Sequence, residues 1–104
     1  MEIQLQDLLQ LVGASRDDDT AFRVGEKYLI RCVTFFYTGR VKQITSSEIV
    51  LEDAAWIADT GRFADCLKSG VPSEVEPFST PVIIPRGSIV DASVWLHNLP
   101  REQK

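Results

Sequence analysis

The residue of this chain best suited to binding a ligand by hydrogen bonds is an arginine in a predicted short turn. Arg86 lies in the sequence Pro85-Arg86-Gly87-Ser88, inside the segment 81–95 and between two short apolar stretches. Proline cannot donate to a strand ladder and glycine tolerates positive φ, so the four residues predict a tight corner between two strands. The guanidinium presented there is a planar fork of hydrogen-bond donors that matches the oxygens of an anion.

The stretches on either side of the corner alternate in polarity. Val82 and Ile84 share one face before it. After it, Asp91 and Ser93 point away from a face that carries four apolar residues. These four are Val90, Ala92, Val94 and Leu96. Both stretches are therefore predicted to be half-buried strands.

A second pattern lies earlier in the chain. Gly39 opens a strand-like stretch that ends at Ile44, a short polar break follows at 45–47, and another strand-like stretch runs over 48–54. The alternation in this last stretch predicts that Ile49 and Leu51 face a core. The residues between and beside them would face outward: Glu48, Val50 and Glu52.

Together, the two patterns at 39–54 and 81–95 resemble the two signatures of the Sm-like (Lsm) family. Members of that family are small bent five-stranded barrels that assemble side by side into rings. The resemblance implies a mainly β, SH3-like barrel fold and one Sm-like domain over 1–104. It also implies a homo-oligomeric ring, from pentamer to heptamer, that binds single-stranded RNA or acts in RNA metabolism. Arg86 of each subunit would then line a central opening.

By this resemblance, the RNA-binding residues are predicted to be Arg86, Gly87, Ser47 and Glu48, with Arg40 and Lys42 as secondary candidates. The first loop departs from the family, whose nucleotide-binding members carry an aspartate and an asparagine there. Thr45 and Glu48 hold those positions in this chain, and an ionised glutamate accepts hydrogen bonds only and repels a nearby phosphate. A second hypothesis is therefore a structural or scaffolding ring that keeps the fold without a nucleotide pocket.

The barrel is predicted to span residues 24–99, with one helix before it and one helical insertion within it. Residues 1–13 place Ile3, Leu5, Leu8, Leu9 and Val12 near helical spacing before Gly13, which predicts an N-terminal helix. Its apolar stripe would cover the barrel end, which we favour, or dock on a neighbouring subunit. The stretch 56–77 is predicted to be an insertion between the third and fourth strands. It would hold a short helix capped by Thr60 and ended by Gly70, followed by a surface loop at 72–77.

The stretch 28–43 is rich in β-branched and aromatic residues and is interrupted only by Gly39. Strand structure is expected throughout, with either an unusually tight turn or one long strand bent at Gly39. The rings of Phe35, Phe36 and Tyr37 could stack on unpaired bases. Neighbouring strand residues point to opposite faces, so at most two of these rings share a surface, and a core or subunit contact is favoured.

Composition limits the remaining classes of protein. The chain has 104 residues, 44% of them hydrophobic, and a net charge of −4. No apolar run approaches the roughly 20 residues of a membrane span, and no secretory signal opens the sequence, so a cytoplasmic location without membrane contact is expected. The negative charge argues against broad electrostatic binding of nucleic acid, so any such binding must be local.

No pattern in the chain predicts catalysis. His97 is the only histidine, and no serine or cysteine lies in a recognisable nucleophile motif. Cys32 and Cys66 lack metal-ligand spacing and are predicted to be small buried hydrophobes. The aspartates at 17–19 lack the spacing of a calcium loop, which favours a solvated linker. We therefore expect a protein that is not an enzyme and that needs neither a cofactor nor a metal.

Overall fold

The fold is mainly β, as predicted from the sequence. The computed structural model describes residues 20–104; the predicted N-terminal helix (1–13) and the aspartates at 17–19 lie outside this range. The described elements are β1 (Lys27–Cys32), β2 (Phe36–Ile44), β3 (Glu48–Asp59), α1 (Phe63–Ser69), β4 (Glu74–Pro77), β5 (Val82–Pro85) and β6 (Ile89–Val94). Residues 20–104 thus contain six strands rather than five, with one α-helix between β3 and β4.

The strands form one antiparallel sheet in the order β4-β3-β2-β1-β6, and β5 pairs with β3 off this path. The long strand β3 serves two partners. Its first part, 48–51, pairs with β5, and its second part, 55–59, pairs with β4. Within the described residues β5 and β6 do not pair with each other, so the sheet is open.

The strands β1 and β2 are joined by a tight turn, which was one of the two predicted alternatives. Cys32 N–H donates to Phe35 O at 2.7 Å, so only Val33 and Thr34 lie between them. The sheet also bends at Gly39, where two residues of β3 face one residue of β2. Asp53, in this bulge, has a φ of 51°, a left-handed conformation that aspartate adopts more readily than most residues.

Two hydrophobic cores lie on opposite faces of the sheet. The first contains eight buried residues from β1, β2, β3 and β5: Tyr28, Ile30, Cys32, Val41, Ile49, Leu51, Ala54 and Ile84. The second lies under α1 and the C-terminal segment and contains Leu29, Ala55, Ile57, Cys66, Val75 and Trp95. Both cysteines are buried, as predicted, and neither forms a disulfide.

The stretch 56–77 differs from the predicted insertion at both ends. Its start continues β3 to Asp59, and its end forms β4 instead of a surface loop. Val75, between two exposed glutamates, is 1% exposed and belongs to the second core. This alternation of polar and apolar residues has the period of a strand, which explains why the loop prediction was wrong.

The predicted short helix is present, with its expected end but a different start. Gly70 follows α1 with a φ of 73° and donates its N–H to Cys66 O, as a C-terminal cap does. The residue at the N-cap is Arg62, without a side-chain hydrogen bond, so the predicted cap at Thr60 is wrong. Thr60 Oγ1 donates instead to the carbonyl of Gly61 at 2.7 Å. No helix within residues 20–104 has the length and apolar character needed to cross a membrane.

The strand β6 is less buried than its sequence pattern predicted. Val90, Val94 and Leu96 are exposed, whereas Trp95 on the opposite face is buried in the second core. The strand lies at the end of the sheet, and β1 is its one partner among the described strands. Ala92 and Val94 share the face of Ile30 and Tyr28, as the alternation predicted, but a bulge opposite Arg31 and Cys32 brings Ile89 rather than Val90 onto this face. No described strand or helix covers the exposed part of it.

Candidate nucleic-acid interface

The corner that carries Arg86 is a single 3-10 turn between β5 and β6. It spans Arg86–Ser88 and is closed by the N–H of Ile89, which donates to Arg86 O. Ser88 Oγ donates to Pro85 O at 2.8 Å and holds the turn against the end of β5. Gly87 has no positive φ, and a Cβ built on it would meet no atom within 4 Å. The predicted corner is present, but Pro85 and Ser88 fix it, and the expected role of glycine flexibility is wrong.

The fold brings Arg86 directly onto the turn between β2 and β3. Its Nη1 donates to Thr45 O at 2.8 Å, and its backbone N–H donates to Ser47 O at 2.9 Å. Glu48, the first residue of β3, is opposite Pro85 in the ladder. The four predicted RNA-binding residues, from two separate segments of the chain, therefore lie at one place.

Thr45 organises this turn from within. Its Oγ1 accepts the N–H of Glu48 at 2.9 Å and the N–H of Ser47 at 3.3 Å, and its own N–H donates to Glu48 O at 2.9 Å. The hydroxyl thus satisfies backbone donors that a tight turn leaves unpaired. By the resemblance to the Sm-like family, Thr45 only occupies the position of an aspartate. In the structure its hydroxyl fixes the β2–β3 turn, and its carbonyl accepts the hydrogen bond from Arg86.

The hydrogen bond to Thr45 leaves one edge of the Arg86 guanidinium open. Only Nη1 has a hydrogen-bond partner among residues 20–104, and the side chain is partly exposed. The nitrogens Nε and Nη2 lie on one edge of the guanidinium plane and can together donate to two oxygens of one phosphate or carboxylate. The carbonyl of Thr45 fixes the direction of this edge, which reduces the entropy lost when a ligand binds.

The local charge is mixed rather than broadly basic. Glu48 lies beside the corner and is partly buried, and no ion pair within 4.0 Å joins it to Arg86 or to another cation of the described chain. A phosphate at Arg86 would approach this carboxylate at the same time. The arrangement therefore favours one localised contact per subunit and disfavours a broad anion-binding surface.

The two secondary candidates differ in availability. Arg40 Nη1 lies 3.0 Å from Asp53 Oδ2, the residue in the β3 bulge, so its charge is already paired. Lys42 is the extra residue of a second bulge in β2, is exposed, and has no ion-pair partner among the described residues. Of the two, Lys42 is the better candidate for an additional phosphate contact.

Beside the corner lies an apolar groove that was not predicted. It has a volume of about 160 Å³ and is bounded on one side by the β1–β2 turn with Phe35 and on the other by Ile83 and Pro85. Phe35 and Tyr37 share a surface, with ring centroids 6.4 Å apart. Phe36 points to the opposite face and packs on Phe63 at 5.9 Å. The expectation that at most two of the three rings share a surface is confirmed.

The structure gives His97 a packing role. Its Nε2 lies 2.8 Å from Leu67 O, and its ring meets the indole of Trp95 edge-on at a centroid distance of 5.1 Å. A Cβ at Gly70 would lie 2.3 Å from His97 Cγ, so helix α1 ends directly against this ring. Within residues 20–104 no group of three or more His, Cys, Asp or Glu side chains is placed to hold a metal ion.

No family model, no curated protein and no solved structure matches this chain.

Proposed function

We propose that this protein is an Sm-like subunit that assembles with copies of itself into a ring and binds single-stranded RNA at Arg86. The observation that carries the RNA-binding proposal is the arrangement of the guanidinium. One nitrogen is anchored on Thr45 O, and the edge formed by Nε and Nη2 is left for a ligand. Such an edge suits bidentate contact with a phosphate.

The pairing of the strands supports an Sm-like barrel. In a small bent barrel a long strand pairs with different neighbours along its two halves, as β3 pairs with β5 and then with β4. The bulge at Asp53 supplies the bend, and Gly39 lets the two strands approach closely there.

Two unpaired strand edges support self-assembly. Lys104 exchanges two backbone hydrogen bonds of 3.0 Å with Val75, so the C-terminal residue covers the outer edge of β4. Within residues 20–104 no such partner covers the outer edges of β5 and β6, and both strands expose apolar side chains, including Ile83 and Val90. Pairing β5 of one copy with β6 of the next would satisfy both edges, and a head-to-tail contact of this kind forms a ring when the rotation from copy to copy closes.

Binding of a fluorescently labelled oligouridine, measured by anisotropy at low salt, tests the RNA-binding proposal. Arg86→Ala should weaken binding by about tenfold or more, because charge-assisted hydrogen bonds contribute ~1.5–3 kcal/mol each. Arg86→Lys, which keeps the charge and loses the fork, should fall between the parent and Arg86→Ala. Arg62→Ala is the matched control, since it removes one exposed arginine that makes no side-chain hydrogen bond at the N-cap of α1.

Light scattering on the same samples separates binding from assembly. The parent, Arg86→Ala and Arg62→Ala should all have the mass of one closed oligomer. A monomeric parent would refute the ring. If the parent and Arg86→Ala bind oligouridine equally well as oligomers, Arg86 is not the binding residue, and Lys42 becomes the candidate to test.

A ring without nucleotide binding is the second candidate function, and the position of Glu48 beside the corner favours it. Glu48→Gln removes the negative charge and adds an amide donor next to Arg86. In a weakened RNA site the substitution should tighten oligouridine binding, by no more than the ~1.5–3 kcal/mol of one charge-assisted hydrogen bond. In a purely structural ring it should leave RNA affinity unchanged and alter the oligomer mass.

A further inference from the structure

The face of the sheet that carries the first core ends in a group of aromatic side chains. Tyr37 of β2 lies opposite Trp56 of β3, and Trp56 lies opposite Glu76 of β4. Residues directly opposite each other on antiparallel strands project to the same face. Phe35, two residues before Tyr37, meets the rings of both Tyr37 and Trp56. Phe35, Tyr37 and Trp56 together form what we call the aromatic surface.

The aromatic surface is open to solvent and has fixed ring directions. Phe35 is 44% exposed and Trp56 is 36% exposed. Their centroids lie 5.7 Å apart with ring planes at 83°, and Tyr37 is also in contact with Phe78 at 6.1 Å. Because the planes of Phe35 and Trp56 are nearly perpendicular, the two rings present walls in different directions rather than one flat platform.

The charged side chains beside this surface are acidic. Glu74 and Glu76 alternate with the buried Val75 along β4, so both project to the face of Trp56. Both are exposed, and no ion pair within 4.0 Å joins either of them to a cation of the described chain. Glu76 Oε1 accepts a hydrogen bond from Gln103 at 3.3 Å, which leaves Oε2 for a further donor.

An aromatic face next to a carboxylate matches a cationic side chain. A cation binds a ring face within about 6 Å of the ring centroid, most strongly on tryptophan. Cross-strand neighbours have Cβ atoms about 4.5–5.5 Å apart, so one cation can reach both the Trp56 ring and the Glu76 carboxylate. Arg101, which donates to the carbonyl of Phe78, pairs with neither glutamate and does not supply this cation.

The same charges distinguish between two kinds of partner. A nucleic-acid base would also stack on these rings, but its phosphates would then approach two carboxylates. A guanidinium is flat, stacks on aromatic rings and donates two parallel hydrogen bonds to a carboxylate, whereas the ammonium of lysine is a compact point charge. The surface therefore favours an arginine of another protein over RNA.

We propose that the aromatic surface and Glu76 bind an arginine side chain in a basic segment of a partner protein. The guanidinium stacks on Trp56 and donates to the carboxylate of Glu76. Phe35 and Tyr37 also line the groove of about 160 Å³, which offers an apolar place for a side chain next to the arginine. A basic partner complements the net charge of −4. This inference does not depend on RNA binding at Arg86.

Binding of a fluorescently labelled peptide of arginine and glycine to the full-length chain tests the proposal, with anisotropy measured at low salt. In the control peptide citrulline replaces arginine, which keeps the planar shape and removes the charge. The parent protein should bind the arginine peptide and not the citrulline peptide. Absence of binding to the arginine peptide, or equal binding of the two peptides, would overturn the proposal.

Two pairs of variants locate the binding surface. Trp56→Leu should weaken binding of the arginine peptide about three- to thirtyfold, because it removes the ring and keeps an apolar side chain. Its control is Phe63→Leu, at an exposed aromatic residue on the opposite face of the sheet. Glu76→Gln should weaken binding about threefold or more, and its control is Glu26→Gln, at an exposed carboxylate before β1. Equal effects of each variant and its control would refute the assignment.

The same variants separate a protein partner from RNA. Trp56→Leu should leave binding of labelled oligouridine unchanged. If it weakens oligouridine binding and not binding of the arginine peptide, the aromatic surface binds bases and the proposal is wrong.

A measurement on the parent covers the case in which Trp56→Leu does not fold. Of the two tryptophans Trp95 is 2% exposed, so Trp56 gives most of the fluorescence that acrylamide can quench. Saturating arginine peptide should lower the quenching constant, and the citrulline peptide should not. Unchanged quenching with bound arginine peptide would place the peptide elsewhere and refute the proposal.

Discussion

Gly39 provides the most direct test of the bend that shapes this sheet. A Cβ built on Gly39 would lie 3.0 Å from Leu51 Cβ, 3.0 Å from Leu51 Cδ1 and 3.3 Å from Ala54 Cβ. Leu51 and Ala54 are fully buried in the first core, so neither can move outward into solvent. Overpacking of this kind costs about 1–3 kcal/mol, and the smaller chain entropy of unfolded alanine offsets about 0.4–1 kcal/mol of it. Gly39→Ala should therefore lower the free energy of unfolding by ~1–2 kcal/mol.

Urea unfolding followed by tryptophan fluorescence measures this effect. For a domain of this size, 1 kcal/mol corresponds to a change of roughly 4–8 °C in Tm, so thermal unfolding gives an independent value. Gly87→Ala is the matched control, because a Cβ there meets no atom within 4 Å and φ is not positive, and it should be neutral or slightly stabilising.

The cause can be assigned with a double-mutant cycle. Leu51→Ala keeps Leu51 Cβ but removes Leu51 Cδ1, the other atom 3.0 Å from the new methyl group. Gly39→Ala should therefore cost less stability in that background than in the parent. If the two substitutions were additive, or if Gly39→Ala were as neutral as Gly87→Ala, the close contact between β2 and β3 would not explain the presence of glycine at the bend.

Two further predictions concern the turn beneath Arg86 and the second core. Thr45→Val keeps the shape of the side chain but removes the acceptor for the N–H groups of Ser47 and Glu48. It should therefore lower the free energy of unfolding, measured in urea, by ~1–2 kcal/mol. Thr45→Ser should retain most of the stability, and equal losses in the two variants would exclude the hydroxyl as the cause. Burial raises the pKa of the Cys66 thiol above its ordinary value of 9.0, so the neutral thiol is favoured in the folded state, and its contribution to stability is complete below about pH 9 and is lost as pH rises further. Burial also raises the pKa of Tyr37 above 10.0, so Tyr37 lowers stability only at higher pH than this. Between pH 8.5 and 10 the free energy of unfolding should therefore fall less in Cys66→Ala than in the parent. An identical pH profile for the two proteins would contradict the assignment to Cys66.

The sequence predicted local structure, such as strands and turns, better than the contacts between segments that are distant in the chain. The strand 48–51, the helix end at Gly70 and the corner at Pro85 each depend on a period or on a residue with restricted φ, which a sequence displays directly. The family resemblance grouped Arg86 with Ser47 and Glu48 as RNA-binding residues, but nothing in the sequence predicted the hydrogen bonds from Arg86 to the β2–β3 turn. These bonds depend on the pairing of β3 with β5, which the sequence does not display.

The errors have identifiable physical causes. The stretch 74–77 contains two glutamates and a proline, which are typical of a loop, but the burial of Val75 under α1 outweighs that local preference. The exposed face of β6 could not be predicted from its alternation, because alternation tells which residues share a face and not whether another element covers it. The hydrogen bonds by which Thr45 fixes the turn and holds Arg86 depend on the backbone geometry of the turn, and no pattern of residues in the sequence predicts that geometry.

The position of Arg86 between two strand edges has a consequence for the proposed ring. The corner is the connection from β5 to β6, so the two strands whose outer edges would pair with neighbouring copies both begin or end within it. Pairing at these edges would restrain Pro85 and Ile89 on either side of the arginine and hold the Nε and Nη2 edge in one direction. RNA that contacts several subunits would bind the assembled ring better than the separate subunit, and by linkage it would favour assembly to the same extent. In the proposed ring, one acidic subunit would bind RNA weakly by itself, because the positive charge would be concentrated only where several copies of Arg86 came together.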